Sequence, residues 1–79
     1  MFESYEKRYA FLQLLKEKGF YVRMHAYEYL LGKDGKIVGV LLLEPANNRV
    51  EIFFSPILSS TERKRVEKEI RNVIRKIQN

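Results

Sequence analysis

Residues Ile37–Glu44 read IVGVLLLE. The stretch is apolar at nearly every position, so it predicts a strand with both faces covered. Flanking turn signals make it the middle strand of a meander. Gly32-Lys33-Asp34-Gly35 precedes it, and Asp34-Gly35 suits a type I′ hairpin turn. Pro45-Ala46-Asn47-Asn48 follows, where Asn-Asn tolerates left-handed backbone.

On the N-terminal side, residues 20–31 alternate apolar and polar and read as one strand. On the C-terminal side, Arg49–Ser55 reads as another, closed by Pro56. A helix is expected over residues 2–18, with Ser4 as its cap and Phe11, Leu12, Leu14 and Leu15 on one face. Gly19 ends it. A second helix starts near Ser59-Ser60-Thr61 and runs to about residue 77 on a Val66–Ile70–Val73–Ile74–Ile77 stripe. The expected fold is α+β: a two-layer αβββα domain spanning residues 1–79, with a three-stranded antiparallel meander and both helices on one face.

The register sorts the side chains. Two-residue loops at Asp34-Gly35 and Asn47-Asn48 set Leu31 opposite Val38, Tyr29 opposite Val40, Tyr27 opposite Leu42, His25 opposite Glu44, Leu42 opposite Phe53 and Glu44 opposite Glu51. One face then holds Val22, Met24, Ala26, Leu30, Ile37, Leu41, Leu43, Val50, Ile52 and Phe54, and the helices cover it. The other holds Tyr27, Tyr29, Val38, Val40, Leu42 and Phe53, and nothing in the chain is left to cover it. That patch is larger than a soluble monomer usually exposes, so a homodimer joined through it is expected. Tyr27, Tyr29 and Phe53 beside Arg23 also fit base stacking, but the aliphatic residues among them favour burial.

Of the 79 residues, 15 are Lys or Arg and 10 are Asp or Glu, a formal charge of +5. From Thr61 onward there are seven Lys/Arg and three Glu, so the second helix carries +4 of that excess. At about 100° per residue, Lys64, Lys68, Arg71 and Arg75 form a stripe opposite the apolar one. With Arg63 and Arg65 they are the candidate nucleic-acid contacts, to DNA or RNA, because phosphate contacts supply most non-specific affinity. The competing expectation is a solvated face, with Glu67–Arg71 as an internal i, i+4 pair. In that reading the protein is a dimeric interaction module without nucleic-acid activity.

The element order αβββα resembles that of double-stranded-RNA-binding domains and of the Alu-RNA-binding subunits of the signal recognition particle. In the first of these a basic cluster at the start of the last helix grips phosphates, and Arg63, Lys64, Arg65 and Lys68 occupy the matching place. That family carries a Gly-Pro-x-His-type loop between its first strands, where this chain has Gly32-Lys33-Asp34-Gly35, and the family's lysine-alanine-lysine pattern in the last helix is missing here.

Cysteine is absent, which excludes disulfides and thiolate metal sites. Nucleophile–base pairs, phosphate loops and zinc spacings are missing too, so no enzyme, cofactor or metal is expected. His25, Glu44 and Glu51 would form a polar row at the end of the outer face. No apolar run is long enough for a membrane span, and a cytoplasmic location is the simplest expectation. The abundance of Lys, Arg and Glu fits a thermophile's composition.

Overall fold

In the computed structural model, residues 2–78 are described. The elements are α1 (Tyr5–Glu17), β1 (Tyr21–His25), β2 (Glu28–Lys33), β3 (Lys36–Glu44), a short 3₁₀ turn (Pro45–Asn47), β4 (Arg49–Phe54) and α2 (Ser60–Gln78). The strands form one four-stranded antiparallel sheet in the order β1-β2-β3-β4. The α+β class stands, but the sheet has four strands where the sequence predicts three. The element order αββββα therefore departs from the αβββα order on which the resemblance to RNA-binding domains rests.

The extra strand comes from residues 20–31, which fold as a hairpin. His25 pairs with Glu28 across a two-residue turn, and Ala26 takes a left-handed φ of 54°. Ala26 and Tyr27 carry none of the turn residues that announce such a conformation. The turn reverses the alternation within this segment. Val22 and Met24 face inward as expected, but beyond the turn the inward residues are Tyr29 and Leu31.

A second irregularity lies in β3. The Asp34-Gly35 turn forms as predicted, with φ of 53° and 81° and Lys33 opposite Lys36. Gly32 pairs with Ile37, yet Leu31 pairs with Gly39, so Val38 is the extra residue of a β-bulge. Beyond it Tyr29 lies opposite Leu41 and Leu30 opposite Val40. Val38 is buried while Ile37 is 46% exposed. Gly39 is the residue the bulge requires. Its φ is 159°, and a Cβ built there would fall onto the carbonyl oxygen of Phe53 in the neighbouring strand.

The last turn has four residues, with Asn48 left-handed at φ 50° and its N–H donating to the Pro45 carbonyl at 3.1 Å. Glu44 pairs with Arg49, Leu42 with Glu51 and Val40 with Phe53. The register differs by two residues from that of a two-residue loop, which leaves the faces unchanged.

The core lies between the sheet and the helices. Val22, Tyr29, Leu31, Val38, Leu41 and Leu43 meet Phe11, Leu12 and Leu15 of α1 and Val66, Ile70, Val73 and Ile77 of α2. Ser4 caps α1 by accepting from the Lys7 N–H at 3.1 Å, so the helix starts after Phe2. Phe2 instead packs on Phe11, with ring centroids 5.1 Å apart. Gly19, at φ 92°, ends α1 in a Schellman arrangement, its N–H on the Lys16 carbonyl and that of Phe20 on Leu15. The buried Tyr29 donates its hydroxyl to the Arg8 carbonyl at 2.7 Å, which joins β2 to α1.

Two outcomes test this packing. Gly39→Ala should destabilise the fold by about 3 kcal/mol in a urea titration, since β3 and β4 must part to admit the methyl group. Burial raises the Tyr29 pKa, so folding stability should fall as pH climbs past about 10, where the unfolded phenol ionises first. Tyr29→Phe should remove that alkaline loss at a cost of about 1 kcal/mol at neutral pH.

Candidate nucleic-acid interface and the open sheet face

Helix α2 begins with a capping box. The Glu62 N–H donates to the Ser59 hydroxyl at 3.1 Å, and the Ser59 N–H donates back to the Glu62 carboxylate at 2.9 Å. The same carboxylate accepts from Lys36 of β3 at 2.6 Å. Further along, Lys33 reaches the Glu69 carboxylate, the Lys18 carbonyl at 3.0 Å and the Phe20 ring at 4.3 Å. These two lysines lie on either side of the Asp34-Gly35 turn, and they fix α2 against the hairpin tip and against the end of α1.

So held, α2 buries Val66, Ile70, Val73 and Ile77 and presents Arg63, Lys64, Arg65, Lys68, Arg71 and Arg75 as exposed residues. Three of these have neighbours. Arg71 pairs with Glu67 at 3.2 Å, Arg75 bonds to Asn72, and Arg63 lies 4.8 Å from the Phe54 ring. Lys64, Arg65 and Lys68 make no hydrogen bond or ion pair with any described residue. The first half of α2 therefore offers unneutralised charge at its N-terminal end, where free backbone N–H groups add to the positive potential.

The face of the sheet away from the helices is assembled differently from the expectation. Val40, Leu42 and Phe53 do lie on it. Tyr29 and Val38 do not, because the bulge and the first hairpin turn both side chains into the core, where they are 0% and 2% exposed. Leu30 and Ile37, expected inside, take their places outside, and Tyr21 joins them. Tyr27 belongs to the β1–β2 turn and packs under Arg8 of α1, 4.4 Å from guanidinium to ring centroid. Ala26, expected in the core, is exposed in the same turn. The open face is thus Tyr21, Leu30, Ile37, Val40, Leu42 and Phe53. A shallow groove of about 390 Å³ crosses it, lined by Arg23, His25, Glu28, Leu30 and Val40.

The expected row of His25, Glu44 and Glu51 does not form. His25 lies opposite Glu28 on the edge strand β1, while Arg49 bridges Glu44, at 3.1 Å, and Glu51 on the far side of the sheet. Arg49 neutralises both carboxylates. Among the described residues no group of three His, Cys, Asp or Glu side chains could hold a metal ion. No helix among them is long and apolar enough to cross a membrane.

One exposed cluster escaped the sequence reading. Tyr5 and Tyr9 stack at 6.2 Å on α1, beside Arg8. Their i, i+4 spacing was the available signal.

Lys36 and the Ser59 N–H hold the Glu62 carboxyl far below its ordinary value near 4.5, at about 2. Its contribution to stability is complete above the ordinary value and is lost as pH falls through about 2. Glu62→Gln should lower Tm at neutral pH and make no difference below about pH 2, as followed by circular dichroism.

Compared with known proteins, the chain matches no family model, no curated protein and no solved structure.

Proposed function

We propose that this protein binds duplex nucleic acid, DNA or RNA, through the outward face of α2. The observation that carries the reading is the set of exposed cations on that face, of which Lys64, Arg65 and Lys68 have no acidic partner among the described residues. Lys64, Lys68, Arg71 and Arg75 span about 16 Å of helix axis at 1.5 Å per residue. A duplex carries one phosphate charge per about 1.7 Å of its axis, so a cation row of this length meets several phosphates at once. Such contacts position a protein on a backbone without reading sequence. Sequence-independent binding is the corresponding mode. The helix is well suited to this because its opposite face is anchored in the core and its first turn is pinned by the capping box and Lys36.

In the rival reading the charge only keeps an interaction module in solution, and salt separates the two. Binding to a generic duplex, followed by fluorescence anisotropy, should weaken with a log–log slope of about −3 to −4, near −0.9 for each phosphate contact. Lys64→Glu combined with Lys68→Glu should weaken it more than tenfold without unfolding the protein, because both side chains point away from the core. Equal affinity in that double variant, or no binding at about 50 mM salt, would overturn the proposal.

A further inference from the structure

The open sheet face and its register carry an inference independent of α2. Both helices lie on the other side of the sheet, and Leu30, Val40 and Leu42 form the centre of the uncovered side with Tyr21, Ile37 and Phe53 around them. An aliphatic centre favours burial against another apolar surface over the stacking of bases.

The polar residues of this face are distributed unevenly. The β1 edge carries Arg23 and His25, and the β4 edge carries Phe53 and Glu51. Pairing aligns them in two rows that run straight across the sheet. One is Arg23–Leu30–Val40–Phe53 and the other is His25–Glu28–Leu42–Glu51. We infer that the face is covered by a second copy of this chain, related by a two-fold axis parallel to the strands. This axis lays the β1 edge of each copy over the β4 edge of the other. Arg23 then meets the ring of Phe53, a cation over an aromatic face. Leu30 meets Val40, and His25 meets Glu51. Glu28 meets Leu42, and because this row lies at the end of β2 the carboxylate extends past Leu42 to the rim. An axis running across the strands would instead set Arg23 against Arg23, and like charges oppose that choice.

The electrostatics of the whole chain agree with this occupant. Each copy carries +5, and association is least opposed where charge is least. Arg23 and Arg49 on the open face are matched by Glu28, Glu44 and Glu51, whereas α2 holds most of the positive excess on the far side. The size of the face sets the strength. Four strands at about 4.8 Å and five residues at about 3.3 Å make a surface roughly 19 Å by 17 Å. Two of them bury roughly 650 Å² in all, below the range of stable interfaces, so the dimer is a weak one in exchange with monomer.

Because the chain has no cysteine, introduced thiols report the arrangement directly. In the double variant His25→Cys/Glu51→Cys, which leaves Arg23 and Phe53 in place, a bifunctional maleimide spanning about 10 Å, the separation of two stacked sheets, should join position 25 of one copy to 51 of the other, identified by peptide mapping. Within one copy the two positions lie three strand spacings apart, about 14 Å, too far for that linker to bridge. Each single variant should stay uncross-linked. Sedimentation equilibrium of the unaltered chain should show a monomer–dimer exchange, and Phe53→Glu should shift it at least tenfold toward monomer. Phe53 is 54% exposed, so that change leaves folding intact, as circular dichroism would verify. A monomer at about 200 μM, cross-links only between like positions, or a dimer indifferent to Phe53→Glu would each overturn the inference.

Discussion

The architecture depends on one close approach of two backbones. At Gly39 the strand β3 passes so near the Phe53 carbonyl that a side chain has no room, and there the ladder takes in the extra residue Val38. Strand side chains alternate, so one additional residue reverses the sense of everything paired beyond it. Val38 turns inward and Ile37 outward. On the neighbouring strand Tyr29 enters the core, where its hydroxyl finds the Arg8 carbonyl, and Leu30 is left on the open side. The composition of both faces follows from this one irregularity together with the Ala26–Tyr27 turn.

Positive charge is used in two ways. Lys33 and Lys36 flank the tip of a hairpin and are spent internally, on Glu69, Glu62 and the Lys18 carbonyl at the end of α1. Such exposed or half-buried pairs add little stability singly. Their effect here is orientation, because each joins the sheet to a different turn of α2. The cations on the outward side of α2 have no such employment in their first half, and this difference, more than the net charge of the chain, distinguishes a candidate binding surface from a solvated helix.

The helices were legible in the sequence because their signals are local and redundant: Ser4 and Gly19 bound α1, Ser59 begins α2, and the apolar stripes persist over several turns. The α2 stripe of cations was legible for the same reason. The sheet was less so. Residues 20–31 keep a nearly continuous period-two pattern through a turn made of Ala and Tyr, which nothing in local chemistry marks as a reversal. The bulge did leave a trace, since an isolated Gly within the apolar run of β3 is a recognised sign of one. An unbulged ladder places Tyr29 and Val38 on the open face, whereas Val40, Leu42 and Phe53, all beyond the bulge, lie there with or without it.

The meander has a consequence for the order in which the molecule assembles. Every strand pairs with the next in sequence, so the whole sheet closes through short loops with little entropic cost at each step. The contact between α1 and α2 joins the two ends of the chain, across the full length of the sheet. Local pairings form quickly and distant ones slowly, so the docking of the two helices on each other is the late event. Until both helices have docked, the inner face of the meander is incompletely covered, and its apolar residues are open to misassociation.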